Sequence, residues 1–246
     1  MADLSSIASC NSWEQLIAEL RKESVLQEVQ KFEEGLPFTD ESTGITFEKF
    51  KEHHKNDAFN LIAKVMTTRN PPAVFQNITI EEWFYARLER LHHIDYVPHS
   101  IVALQEDTVV GAFINTDYSN MKLLPLDGDQ SIIRKFKNIG TIVRAAREVE
   151  LEAQGKVYYA FMDCVDGQQA GKGIGSKSTA IRIAVAYYLG YDCFGRDATG
   201  EISARCSSKF LHTTKAIPYE NFEIEGEFPF RGLEGGVKSQ HRMLRN

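Results

Sequence analysis

Residues 157–191, VYYAFMDCVDGQQAGKGIGSKSTAIRIAVAYYLGY, constrain this chain more than any other stretch. An apolar run rich in aromatic and β-branched residues reads as a strand. The turn Gly171-Lys172-Gly173-Ile174-Gly175-Ser176 follows, and then an amphipathic helix. Ile174, Ile181, Val185 and Tyr188 fall on one helical face, and Gly190 stands where a C-terminal cap belongs. The first N–H groups of a helix have no internal partner, and the helix dipole is positive at that end. Glycines keep side chains out of the way, so the loop is a place for a phosphate group.

Two common phosphate loops do not fit. A Walker A loop needs four residues between its glycines and a hydroxyl after the lysine. Here three residues separate Gly167 from Gly171, and Gly173 follows Lys172. A Rossmann fingerprint is G-x-G-x-x-G with an acidic residue about 20 positions on. This loop is G-x-G-x-G, and although Asp192 is suitably spaced, the chain after Gly190 is too short to complete such a domain.

The segment AGKGIG (170–175) resembles the coenzyme loop of the GNAT acyltransferase superfamily, with Ala170 where Arg or Gln is usual. Further matches lie in order along the chain. KVMTTRNPPAVFQNITIEEW (64–83), Ser203-Ala204-Arg205 and Ile217-Pro218-Tyr219-Glu220-Asn221-Phe222 are similar to segments of arylalkylamine N-acetyltransferases of the insect and nematode type. The resemblance spans about 43–246. It implies a mixed α/β sheet of the GNAT fold and direct acetyl transfer from acetyl-CoA, as co-substrate, to a small primary amine. It places the backbone of Gly171, Lys172, Gly173, Ile174, Gly175 and Ser176 on the pyrophosphate, with Cys164 and Val165 beside the thioester.

Composition agrees with one globular enzyme domain. A chain of 246 residues with 43% hydrophobic content can bury a large core. No apolar run has the length of a membrane span, and MADLSSIASCNSWEQ lacks the regions of a signal peptide. A formal charge of −6 argues against general nucleic-acid binding. Four dispersed cysteines show no metal-ligand spacing and suit a reducing compartment. The expectation is a cytoplasmic protein with no metal, no nucleic-acid or membrane partner, and no need to dimerise.

Along the chain, 11–34 reads as one amphipathic helix carrying Trp13, Leu16, Ile17 and Leu20, capped by Asn11 or Ser12. Gly35 and Pro37 end it, and 37–44 reads as a linker. Residues 1–42 are thus expected as a helical extension packed on a domain spanning 43–246. That domain starts with a strand at 45–50, then a helix with Phe59, Ile62 and Met66 that stops before Pro71-Pro72. Thr79 and Glu82 form a capping box for a helix presenting Ile80, Trp83, Phe84 and Leu88. A hairpin over 99–116 turns at Glu106-Asp107-Thr108, and a helix over 129–153 turns Ile132, Phe136, Ile139 and Val143 inward.

Acetyl transfer to an amine has three needs: loss of the amine proton, a donor to the oxyanion, and a proton for the leaving thiolate. Alignment by resemblance puts Asn70 where insect-type enzymes have a basic Glu, and Ser207 where many relatives have a proton-donating Tyr. Period two puts Tyr159, Phe161 and Asp163 on one strand face, so Tyr159 and Asp163 are candidates to act through water. Thr199 and Ser203 match a pair of hydroxyls near the thioester in the family. Ser203 reads equally well as a helix-start hydroxyl. His53, His54, His92 and His93 read as surface residues, and His99 at a strand start is the one candidate base among the histidines. Aromatic content, 15 Phe and 9 Tyr, suits an arylalkyl pocket. A non-catalytic acyl-CoA-binding module and a peptide or protein N-acetyltransferase are the alternatives.

Overall fold

The computed structural model describes residues 1–88, 95–121, 127–147 and 151–245. Among the described residues, eight strands form one sheet in the order β1-β2-β3-β4-β5-β6-β8-β7. They are β1 Phe38–Asp40, β2 Ile45–Lys49, β3 Ile101–Gln105, β4 Thr108–Asp117, β5 Val157–Val165, β6 Cys193–Ala198, β7 His212–Pro218 and β8 Gly236–Met243. All neighbours are antiparallel except β5 and β6, which the crossover helix α8 (Ile174–Tyr188) joins in parallel. This is the mixed sheet expected from the sequence.

Side chains alternate between two cores, as strand period requires. Ile101, Ala103, Tyr158, Ala160 and Phe194 face α8 together with α1 (Ser5–Ala8), α2 (Trp13–Leu20) and α3 (Glu23–Glu33). Val102, Ala112, Ile114, Met162 and Cys164 face α4 (Lys55–Arg69), α5 (Pro71–Phe75), α6 (Ile80–Trp83) and α7 (Gln130–Ala146). Helix α8 is buried on nearly every side and ends in a Schellman turn. Tyr191 N–H bonds the Ala186 carbonyl, Gly190 N–H bonds that of Tyr187, and Gly190 takes φ +79°. Among the described residues no helix is long and apolar enough to cross a membrane.

The N-terminal segment differs from expectation. Residues 11–34 form two helices, α2 capped by the Ser12 side chain and α3, with Lys22 extended between them. The reason is phase. At about 100° per residue one helix would put Val29 opposite Leu20, and the break lets both enter the α8 core, where each is fully buried. The expected linker holds β1, paired to β2 from Phe38↔Phe47 to Asp40↔Ile45. Residues 1–42 thus supply a strand of the main sheet and part of its core.

Other boundaries shift. The capping box at Thr79 and Glu82 forms, but α6 is one turn, continued by a π-turn over Phe84–Leu88, and Ile80 is exposed. Helix α7 ends at Ala146, short of 153. Pro71-Pro72 end α4 and also begin α5, where a proline costs no hydrogen bond. His54, expected at the surface, is buried: its Nδ1 accepts from Lys51 N–H at 3.1 Å and its Nε2 lies 2.7 Å from Glu48. With Nδ1 accepting, the ring hydrogen sits on Nε2 and serves Glu48. His92 and His93 lie outside the described residues.

Candidate active site

The site is organised by a parting of two strands. β5 and β6 pair only from Val157↔Cys193 to Ala160↔Arg196. Beyond that point, among the described residues, β5 pairs only with β4, and β6 only with β8, so facing edges of 161–165 and 197–198 are open. The β4–β5 register slips here, with Ile114 opposite Met162 and Asn115 opposite Ala160. Phe161 is therefore a β-bulge, which bends its strand away.

The bulge overturns one expectation. An extra residue reverses the alternation beyond it, so Tyr159 and Asp163 lie on opposite faces of the sheet. Tyr159 packs beside Leu151 and Val157, whereas Asp163 meets Arg182 of α8.

A cavity of about 1130 Å³ opens at the parting. Its lining includes Val165, Ala170, Gly171, Gly173, Ile174 and Gly175 from the strand–loop–helix unit, and Trp83, Tyr118, Ile139, Val143 and Arg144 from elsewhere in the chain. At the loop, Gly173 caps α8 with φ +74°, a left-handed conformation that suits glycine. The N–H groups of Gly173, Ile174, Gly175 and Ser176 donate to no protein group among the described residues. A Cβ on Gly175 would stand 3.3 Å from Cys206 Sγ, so glycine also lets α9 (Glu201–Ser207) approach α8. Lys172 and Ser176 do not line the cavity with the rest; the Ser176 hydroxyl donates to the Cys206 carbonyl at 3.1 Å.

The predicted proton-handling side chains are mostly engaged. Asp163 accepts from Arg182 Nη1 and Nη2 at 2.7 and 2.9 Å and pairs with Arg196 Nη1 at 3.0 Å. Burial works to raise its pKa, but the two guanidiniums outweigh it and hold the carboxyl below its ordinary range. Asp163 is a structural counter-ion, not a free base. The Tyr159 hydroxyl donates to Asp197 at 2.6 Å and accepts from Arg147 Nη2 at 2.7 Å. Burial and then the Asp197 charge push its pKa far above that of a free phenol. Burial likewise raises the Cys164 thiol, which argues for packing over nucleophilic chemistry.

Thr199 and Ser203 both line the cavity. Ser203 is the third residue of α9, not its opening cap, which is Gly200. Its oxygen accepts from Arg196 Nη2. Ser207 is fully buried and donates to Gln240 at 2.7 Å, away from the cavity. His99 also lies outside the cavity lining: its ring packs on Tyr158 and Tyr191, and burial lowers its pKa. It is not placed as a base.

Sequence reasoning missed Arg147, Arg196 and Asp197, and the exposed cavity-rim residues Glu201 and Glu234. A signal existed for two of them. Arg196 and Asp197 are charges inside a six-residue strand, where burial demands a partner or a task.

No protein-family model matches the sequence, and no match was found among curated proteins. Solved structures do match. A yellow fever mosquito protein assigned as arylalkylamine N-acetyltransferase 7 aligns with TM-score 0.66 at 15% identity, over 86% of this chain and 94% of that one. Arylalkylamine N-acetyltransferase 2 from Aedes aegypti aligns with TM-score 0.65 at 22% identity, over 82% and 99%. A Salmonella typhimurium protein assigned as an acetyltransferase, solved with its cofactor acetyl-CoA, aligns with TM-score 0.50 at 12% identity, over 82% and 95%. The chain has the GNAT acetyltransferase fold.

Proposed function

We propose that this chain is an acetyl-CoA-dependent N-acetyltransferase that acts on a small primary amine by direct transfer. One observation carries it: unpartnered amides at the start of α8 and a parted β5–β6 pair open onto the same cavity. The similarity of fold to N-acetyltransferases supports the same reading.

In this reading the amides of 173–175 hold the pyrophosphate, with Gly171 and Gly173 leaving space for it. Among the described residues, and leaving aside its chain neighbours, a Cβ built on Gly171 meets nothing within 4 Å, and one on Gly173 meets Lys177 at 3.9 Å. The open edge of β5 near Val165 directs N–H groups at the thioester and its oxyanion. Ser203 and Thr199 supply hydroxyls at the parting. Trp83, Tyr118, Ile139 and Val143 form a largely apolar wall for the amine's carbon body.

The test is calorimetry with acetyl-CoA, followed by thiol release with a panel of amines and peptides. Binding plus thiol release with a free amine supports the proposal. Binding without release from any acceptor identifies a coenzyme-binding module, and release only with peptides identifies a peptide acetyltransferase. Absence of binding by folded protein sinks the loop assignment.

A further inference from the structure

Two buried carboxylates stand where β5 and β6 part, and they differ in one respect. Asp163 uses both oxygens, against Arg182 and Arg196. Asp197 uses one. Its Oδ2 accepts from Arg147 Nε at 2.5 Å and from the Tyr159 hydroxyl at 2.6 Å. Its Oδ1 has no hydrogen-bond partner among the described residues, although the side chain is only 3% exposed.

The neighbouring tyrosines explain the open oxygen. A guanidinium beside a carboxylate commonly pairs both oxygens with two parallel N–H groups. Here Arg147 turns Nη2 to Tyr159 at 2.7 Å and Nη1 to Tyr118 at 3.2 Å, leaving only Nε for Asp197. A buried acceptor without a donor is rare and costly, and calls for a reason. Asp197 is also the first β6 residue past the last β5–β6 pair, and it lines the cavity.

We propose that Asp197 Oδ1 receives the N–H of the acceptor amine and takes its proton during acetyl transfer. This rests on the N-acetyltransferase reading above and names the proton acceptor within it. As the amine nitrogen bonds to the thioester carbon, it becomes cationic. A carboxylate in hydrogen-bond reach stabilises that charge and removes the proton. The amine enters this step neutral, its ammonium proton already lost to solvent; the carbon–sulfur bond then breaks, the thiolate takes a proton from solvent water, and Asp197 returns its own to solvent. The products are the amide and the free thiol. Among the described residues, the groups facing Asp197 are Arg147 from the end of α7, Tyr159 from β5 and, through Arg147, Tyr118 from the turn after β4. Its β8 neighbour in register is the uncharged Ser239.

The test uses the full chain, acetyl-CoA, and phenethylamine, agmatine and spermidine as probe amines, with thiol release followed against pH. Asp197→Asn keeps the side-chain shape and removes the base. The expected result is a kcat loss of about 100-fold with acetyl-CoA affinity changed less than about threefold. The loss should shrink as pH rises, because hydroxide substitutes for the missing base; a purely structural role would not give that trend. Tyr159→Phe keeps the carboxylate but frees Arg147 Nη2 to close on Oδ1, and should lower kcat by about tenfold or more. It stands as the test if the asparagine variant does not fold. Turnover within about threefold of wild type in either folded variant overturns the assignment of Asp197 alone. Wild-type protein that binds acetyl-CoA and acetylates none of the probes overturns the enzyme reading and this inference with it.

Discussion

Asn70 donates from Nδ2 to Thr199 Oγ1 at 2.6 Å, tying the start of α5 to the end of β6. Its Oδ1 accepts from the Ala73 N–H at 3.3 Å and caps α5. The residue therefore needs both halves of an amide, an acceptor for the helix and a donor for the hydroxyl. The Glu expected here by resemblance to insect-type enzymes would be acceptor-only when ionised. Asn70 fixes one wall of the cavity, and its amide takes no proton at neutral pH.

Asn70→Ala should lower stability by about 1 kcal/mol through loss of the cap. It would appear as a lower denaturation midpoint at unchanged m-value. Asn70→Asp keeps the cap acceptor and should retain most of that stability. Equal losses in the two variants would remove the cap from the explanation.

At the loop, Gly173 sits at φ +74°, and a Cβ there would meet the Lys177 side chain at an ordinary 3.9 Å, so conformation and charge are separable. Gly173→Ala should cost about 1–2 kcal/mol of stability for a left-handed residue with a Cβ, and weaken acetyl-CoA modestly. Gly173→Glu adds a carboxylate where the pyrophosphate is assigned and should abolish binding. Calorimetry on folded protein decides: wild-type affinity in the Glu variant contradicts the loop assignment.

The strand–loop–helix unit was legible because its determinants are local: a β-rich run, glycines at left-handed turns, and a helical apolar face within 35 residues. The hairpin and the capping box were legible for the same reason. The bulge at Phe161 was not, since neither glycine nor proline marks it, and its reversal of alternation undid the pairing of Tyr159 with Asp163. The Arg147–Asp197 contact joins residues 50 positions apart and leaves no trace in local pattern. The break between α2 and α3 was readable in principle, because Leu20 and Val29 are out of phase for one helix.

The Asp163 triad makes a pH prediction. Its folded pKa lies below the unfolded value of about 3.9. The stabilisation is therefore fully present above that unfolded value and is lost as pH falls through the folded one. Wild-type unfolding midpoints should decline on acidification below about pH 4. Asp163→Asn leaves two buried guanidiniums sharing no counter-charge and should cost about 3–5 kcal/mol at neutral pH. The acid-dependent decline from this group should then vanish. A variant as stable as wild type at pH 7 would mean that Arg182 and Arg196 are compensated elsewhere.

Arg196 carries the same network to Ser203. Its Nη1 pairs with Asp163 and its Nη2 donates to the Ser203 oxygen. That leaves the Ser203 hydrogen without a protein acceptor among the described residues, beside a cation that makes it a better donor. In the proposed reaction a hydroxyl so placed suits the leaving thiolate or the oxyanion, and would contribute little to the binding of a coenzyme held by its pyrophosphate. Ser203→Ala should therefore lower kcat by about tenfold or more while acetyl-CoA affinity stays within about threefold. It should also cost about 1–3 kcal/mol of stability, because Arg196 Nη2 loses its partner in a buried place. Steady-state kinetics, calorimetry and denaturation on one preparation separate these effects. Unchanged kcat with reduced stability would make Ser203 a packing partner of Arg196 and take it out of the chemistry.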